Sequence, residues 1–216
     1  MTMAENLLKG KKGIIFGALN DQSIAWKTAL QAHSQGAELV LTNAPVAMRM
    51  GEIHELAKQV GDAPVVPADA TSVEDLTNLF EQAMEHFGGQ VDFVLHSIGM
   101  SPNVRKGKHY TDINYNWLST TLDVSAISLH KTLAVAKKMD AISEWGSVVA
   151  LTYIAAQRIF PDYGDMADAK SLLESITRSF GYHYGVAKKV RINTVSQSPT
   201  ITTAGSGVKG FDEFIA

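Results

Sequence analysis

Two tyrosines and a lysine stand at spacings that can do acid–base chemistry: Tyr153, Tyr163 and Lys170, all within the stretch from Leu151 to Lys170. Tyr163 and Lys170 are seven positions apart, close to two turns of a helix, so a helix through this stretch puts both side chains on one face. A free phenol titrates at about 10 and is a poor acid or base near neutrality, but a neighbouring ammonium favours the phenolate and lowers that value. Lys170 can supply that charge, and the same ammonium can hydrogen-bond a nucleotide's ribose. Tyr153 ends an apolar run that reads as a strand, so it falls near the same edge and can border a substrate or orient its carbonyl. A Tyr–Lys pair at this spacing also arises on solvated helices; the strand-ending tyrosine turns the pair into a candidate site.

A second candidate lies near the start of the chain. The segment Gly13-Ile-Ile-Phe-Gly17-Ala-Leu-Asn20-Asp-Gln-Ser23-Ile24-Ala25 passes from an apolar strand through a polar turn into a helix. Glycine lets backbone approach a pyrophosphate, and the N–H groups and dipole at a helix start favour its charge. The full G-x-G-x-x-G pattern is absent, since only Gly17 stands in the turn, so it reads either as a phosphate site or as a plain strand-to-helix turn. Ser23 is placed to cap the helix. The second strand ends Leu39-Val-Leu-Thr42-Asn43-Ala44-Pro45, with no carboxylate to accept from a ribose 2′-hydroxyl and with Arg49 nearby, so NADH and NADPH both stay open. Asp69, after Pro67-Ala68, can accept from an adenine amino group or cap the helix that follows Ser72.

The run Val91-Asp-Phe-Val-Leu-His96-Ser97-Ile98-Gly99 is a buried strand entering a glycine-ended turn where backbone can approach a ribose. None of the seven histidines pairs with another at i, i+4, so His96 reads as structural and no metal site is expected.

These residues need elements to hold them. Short apolar runs at Gly13 to Phe16, Glu38 to Leu41, Pro64 to Val66, Val91 to Leu95, Ser147 to Leu151 and Val190 to Val195 read as six strands. Between them lie amphipathic stretches at Ser23 to Ser34, Ala47 to Val60, Ser72 to Phe87, Asn116 to Met139 and Asp165 to Gly185, read as five helices. The alternation predicts a doubly wound, Rossmann-like parallel α/β sheet with helices on both faces and its ligand site at the carboxyl ends of the strands. Nothing divides the chain, so residues 1–216 are expected to form one domain. Hydrophobic residues at 45% and charged residues at 19% suit a globular core. A net charge of −3 without a basic block argues against nucleic-acid or anionic-membrane partners and for small molecules. The absence of cysteine excludes disulfides and thiolate chemistry. With no apolar leader or spanning run as well, the expected location is the cytoplasm.

Taken in order, these motifs resemble the divergent short-chain dehydrogenases/reductases that act as enoyl-acyl-carrier-protein reductases. The match runs through Gly17-x5-Ser23-Ile24-Ala25, Asp69-Ala70, His96-Ser97-Ile98-Gly99, Tyr153-x9-Tyr163-x6-Lys170 and Ser198-Pro199-Thr200-Ile201-Thr202. The Tyr-x9-Tyr-x6-Lys arrangement, in place of the wider superfamily's Ser and Tyr-x3-Lys, is its most specific part. The resemblance implies reduction of a trans-2-enoyl thioester on acyl carrier protein by hydride from NADH, with NADPH not excluded. Tyr163 would stabilise the enolate oxygen. It implies a cofactor held by Gly17, Ser23, Ile24, Ala44, Asp69 and Ala70 at one end, and by Ser97, Ile98, Gly99 and Lys170 at the other. Pro199, Thr200 and Thr202 would cover it, within a lid from Gln197 to Gly207. Ser101, Tyr153 and Met166 would meet the substrate. The resemblance also implies a homotetramer built on the two long helices, and a family C-terminal helix and strand that this chain, ending at Ala216, does not carry. A ketone or ketoacyl reductase, or an inactive cofactor-binding fragment, are the competing expectations.

Overall fold

The first strand, β1 (Lys12–Phe16), buries Ile14, Ile15 and Phe16 at or below 1% exposure, which a strand achieves only with neighbours on both edges and cover on both faces. Those neighbours are β2 (Glu38–Thr42) on one side and β3 (Val91–His96) on the other, both parallel to it. β4 (Ile142–Tyr153) and β5 (Arg191–Gln197) continue the sheet in the order β2-β1-β3-β4-β5. The computed structural model describes residues 6–197. The doubly wound parallel α/β sheet is as expected.

One strand is shorter than its sequence suggests. Pro64 to Val66 forms a single parallel bridge, Leu41 to Val65, beyond β2. Its two hydrogen bonds run from the Leu41 N–H to the Pro64 carbonyl and from the Val66 N–H to the Leu41 carbonyl. Pro64 and Pro67 flank it and neither has an N–H to give a ladder, so pairing stops there.

Each face of the sheet carries its own core. On one, α4 (Val73–Phe87), α7 (Ser128–Lys138) and α8 (Met166–Lys188) pack Leu76, Phe80, Leu129, Leu133, Leu173 and Tyr184 against β1, β3 and β4. On the other, α1 (Ile24–Ser34) and α3 (Ile53–Gln59) cover Ile15, Leu39, Leu41 and Leu95 with Trp26, Ala29 and Leu56. Side chains of this size each contribute roughly 1.5–3 kcal/mol on full burial, which anchors the strands against which the site is built.

Two expected helices are interrupted. The stretch from Ala47 to Val60 divides into α2 (Pro45–Met50) and α3 at Gly51, where a Cβ would crowd the Leu19 carbonyl. The stretch from Asn116 to Met139 is α6 (Tyr115–Leu122), a π-helical turn (Asp123–Ile127) and α7 in succession. π-turns are uncommon and favour functional sites because the extra residue redirects side chains. Here the redirected groups are Ser125 and Ser128, both fully buried. A short α5 (Pro102–Arg105), unforeseen in the sequence, follows β3 with Ser101 as its cap.

Candidate active site

The carboxyl ends of β1, β3 and β4 bring together the glycine turn, the Ser97–Gly99 segment and the tyrosines. Gly17 has φ +91, its N–H bonds the Thr42 carbonyl, and a Cβ there would collide with the carbonyl of Ser97. Only glycine fits between these strand ends, which leaves bare backbone at the turn after β1. Ser23 is the N-cap of α1 by position, but its hydroxyl accepts instead from the N–H groups of Leu19 and Asn20, at 3.0 and 3.1 Å. The expected side-chain cap is therefore corrected. Ser23 orders the turn because those N–H groups lie closer to its hydroxyl, and the start of α1 has no side-chain cap. An uncapped helix start beside a glycine cradle fits a pyrophosphate.

Three buried side-chain atoms among the described residues lack a hydrogen-bond partner: Thr42 Oγ1, His96 Nδ1 and Gln197 Oε1. They belong to the last residues of β2, β3 and β5. Orphaned polar atoms at one edge of the sheet fit a polar ligand laid across that edge, as expected of a doubly wound fold. Ala44, after β2, is half-buried and has no polar side chain, while Asn43 ties the strand end to the turn through the Ala18 carbonyl at 3.0 Å. Asp69 is exposed and Ala70 buried; one Asp69 oxygen already accepts from the N–H and hydroxyl of Thr71, both at 2.8 Å. The helix cap there is Ser72, which accepts from the Asp75 N–H.

His96 is fully buried, and burial followed by the nearby Lys170 charge lowers its pKa to about 3, so the ring is neutral. Its Nε2 lies 2.9 Å from the Ser128 hydroxyl, which itself donates to the Val124 carbonyl at 2.7 Å. The single hydroxyl proton is thus used, Nε2–H must be the donor, and Nδ1 is the bare acceptor. His96 is thus held through Nε2 by Ser128.

Lys170 is buried, and its ammonium donates to the Leu151 carbonyl at 2.8 Å. Desolvation brings its pKa down to about 8. Gly99 lies against it: a Cβ there would stand 3.6 Å from Nζ and 3.3 Å from the Met166 methyl. Met166 is buried beside Ser125, whose hydroxyl also strings onto the backbone of Met100. Ser97 and Ile98 are half-buried and Gly99 exposed, so the segment reaches the surface at the carboxyl end of β3.

Tyr153 is the final residue of β4, and its ring meets that of Tyr163 at 4.9 Å and that of Phe160 at 5.3 Å. Two expectations about Tyr163 need correction. It does not share a helix with Lys170, because it ends a 3-10 turn (Pro161–Tyr163), Gly164 follows at φ +49, and α8 begins only at Met166. Nor does Lys170 lower its pKa. Burial, then the Tyr153 ring's phenol, pushes Tyr163 upward, and Lys170 is directed at the Leu151 carbonyl instead. Tyr163 is therefore a neutral phenol, suited to donating a hydrogen bond to a developing oxyanion.

Ser101 caps α5 beside the Ser97–Gly99 segment. It is buried, and its hydroxyl donates to Asp165 at 2.6 Å and accepts from the Val104 N–H at 3.0 Å, so the hydroxyl is engaged within the protein. Sequence reasoning missed Asp165, Asn103, Thr121, Ser125 and Ser128, all fully buried polar residues around the site. Pro199, Thr200 and Thr202, and all but the first residue of the expected lid, lie outside the described residues.

Comparisons with known proteins point to one family. The family described as enoyl-(acyl carrier protein) reductase matches residues 17–216. An enoyl-[acyl-carrier-protein] reductase [NADH] FabI of Rickettsia bellii is 34% identical over 214 residues, covering 99% of this chain and 79% of that protein. The FabI–NADH complex from Alistipes finegoldii superposes with a TM-score of 0.95 at 68% identity, over 97% of this chain and 74% of the other. The enoyl-[acyl-carrier-protein] reductase (NADH) of Aquifex aeolicus gives 0.87 at 30% identity, over 96% and 80% of the two chains.

Proposed function

The chain belongs to the enoyl-(acyl carrier protein) reductase family, and from that premise we propose that Tyr163 is the group that stabilises the substrate's oxygen while Lys170 holds the cofactor. The activity is NADH-dependent reduction of enoyl-acyl carrier protein in fatty-acid synthesis. Bound NADH supplies a hydride to the β-carbon of the trans-2-enoyl thioester. Tyr163, kept protonated by burial, donates to the thioester oxygen as negative charge gathers there. Tyr153 fixes the Tyr163 ring by direct contact and borders the substrate with Met166. Lys170, oriented by the Leu151 carbonyl beside Gly99, offers its remaining N–H groups to the nicotinamide ribose. Gly17, Ser23 and Ile24 form the pyrophosphate end, with Ala44, Asp69 and Ala70 around the adenosine and Ser97, Ile98 and Gly99 around the nicotinamide. Pro199, Thr200 and Thr202 are assigned as its cover by family resemblance.

The observation that carries these roles is the meeting of Tyr153 with Tyr163 at the same strand end whose Leu151 carbonyl receives Lys170. The reading takes residues 1–216 as one nucleotide-binding and catalytic domain, supported by a single sheet with a core on each face. A homotetramer is proposed on the exposed Tyr182 and Val186 along α8, at 69% and 75% exposure, and light scattering tests it. A cytoplasmic location is proposed from the reaction's draw on the soluble reduced-nicotinamide pool. The deciding assay follows NADH absorbance with a short enoyl thioester, a ketoacyl thioester or neither. Enoyl-dependent oxidation alone is expected; oxidation with the ketoacyl thioester alone, or none, overturns the reading.

A further inference from the structure

Asp165 has 0% exposure, and no ion pair reaches it among the described residues. A buried carboxylate without a cation is costly unless hydrogen bonds replace its water. Here three side chains do so: Ser101 Oγ donates to Oδ1 at 2.6 Å, and Asn103 Nδ2 and Thr121 Oγ1 donate to Oδ2 at 2.7 and 2.9 Å. Thr121 also stands 2.9 Å from the Trp117 carbonyl, but its one proton goes to the stronger, charged acceptor. These donors come from the cap of α5, from α5 itself and from α6, whose own cap Asn114 is bound both ways to Asn103. Asp165 immediately precedes α8 and so ties three elements at one point.

That point is the pivot of the site. Tyr163 lies two residues before Asp165, across Gly164 at φ +49, where an added Cβ would stand 3.4 Å from a Val104 methyl of α5. Met166 and Lys170 follow on the first turns of α8, and the Ala169 N–H closes on the Asp165 carbonyl. Both groups assigned to the reaction are thus set from Asp165, the phenol on its amino side and the ammonium on its carboxyl side. The Ser101–Asn103 anchor ties the same point to the segment carrying Gly99, which faces Lys170 and Met166. Simple capping does not account for this, since the Asp165 side chain makes no cap bond to α8. We propose that Asp165 is a positioning residue of the reaction, its buried carboxylate locking the turn that aims Tyr163 at the substrate oxygen. The proposal rests on the roles given to Tyr163 and Lys170 above.

The test compares the full chain with Asp165→Asn, Thr121→Val and the double variant Asp165→Asn/Asn103→Asp. NADH fluorescence titration counts competent sites and gives Kd, and steady-state assays give kcat per site and KM for a short enoyl thioester. Asp165→Asn turns an amide N–H toward donors; it is expected to lower kcat per site about 10- to 100-fold, the effect of small misplacement of reacting groups, with KM and the NADH Kd changed far less. Thr121→Val is expected to lower kcat in the same direction by a few-fold, about the loss of one of three donors. In the double variant the residue-165 amide meets a carboxylate at 103, and most of kcat is expected to return. An Asp165→Asn protein that melts lower but turns over at the wild-type rate per NADH site overturns the proposal, as does a double variant no faster than the single one. If Asp165→Asn does not fold, Thr121→Val decides by the same measure. Wild-type chain that oxidises NADH only with a ketoacyl thioester defeats the enoyl reading alone, and the variants are then scored on ketoacyl turnover.

Discussion

The rings of Tyr153 and Tyr163 lie 4.9 Å apart and inclined at 48°, joining the last residue of β4 to the turn before α8. Each raises the question of which phenol does chemistry. Tyr153 is buried at 8% exposure, its pKa is raised by desolvation, and it also packs on Phe160, so it acts as the wall. Tyr163 leans on that wall from a glycine-linked turn, with a pKa pushed further up by burial and by Tyr153. A tilted aromatic contact of this kind is worth about 0.5–1.5 kcal/mol beyond area, enough to hold one phenol against another's ring but not to freeze the turn alone.

Tyr163→Phe keeps the ring contact and removes only the donor. It is expected to lose about 10²–10³ in kcat, the usual effect of deleting one oxyanion donor, with NADH affinity retained. Tyr153→Phe keeps the wall and is expected to cost about tenfold or less on the same scale. Stopped-flow oxidation of NADH with a saturating enoyl thioester measures both; a Tyr153→Phe loss exceeding that of Tyr163→Phe reverses the assignment.

The proposed contact of Lys170 with the cofactor's ribose predicts a pH dependence for NADH binding. Burial brings its pKa down to about 8 in the free protein, and hydrogen bonds from the ammonium to ribose hydroxyls, as proposed, would raise that value in the complex. The charged form dominates below pH 8 and is lost above it in the free protein first. The NADH Kd is therefore expected to be flat below about pH 8 and to weaken above it, by at most about tenfold per pH unit. Lys170→Met is expected to bind more weakly with no such slope. Fluorescence titration across this range checks the sign, and a wild-type Kd that stays level or tightens above pH 8 rejects the role.

The sheet was legible because β1, β2 and β3 are near-continuous apolar runs, and burial on both faces is the condition that selects such runs. The third run failed where Pro64 and Pro67 withhold donors, a limit visible in the letters but not weighted by hydrophobicity. The Tyr153, Tyr163 and Lys170 constellation was legible for a partly mistaken reason. Spacing placed Tyr163 and Lys170 on one helix, whereas a 3-10 turn and Gly164 separate them. Asp165 was illegible because its meaning lies in donors 64, 62 and 44 positions away, and no local pattern carries contacts of that range.

Gly17→Ala tests the cradle. Its φ of +91 disfavours any Cβ, and the added carbon would meet the Ser97 backbone, which belongs to a strand-end segment and has little freedom to retreat. Backbone strain alone costs about 1–3 kcal/mol, which for a chain of this size lowers Tm by several degrees at roughly 2–4 °C per kcal/mol. Calorimetry should show that drop together with weaker NADH binding. Wild-type Tm and Kd in this variant would mean that the cleft wall is not where Gly17 places it.

Tyr184→Phe separates stability from activity. Tyr184 is 2% exposed on the far part of α8, its hydroxyl donates to the Leu133 carbonyl at 2.8 Å, and Lys137 sits over its ring at 4.9 Å. Phenylalanine keeps the ring contacts with Lys137 and Phe180 and deletes the hydroxyl, so any loss reports that one bond. Removing a buried donor costs about 1–3 kcal/mol, softened here because the Leu133 carbonyl sits in helix α7, whose own ladder also serves it. The expected loss is therefore about 1 kcal/mol, a Tm decrease of roughly 2–4 °C, with kcat per NADH site unchanged. Should kcat fall along with Tm, the two ends of α8 are mechanically coupled, and the site cannot be treated as set from Asp165 alone.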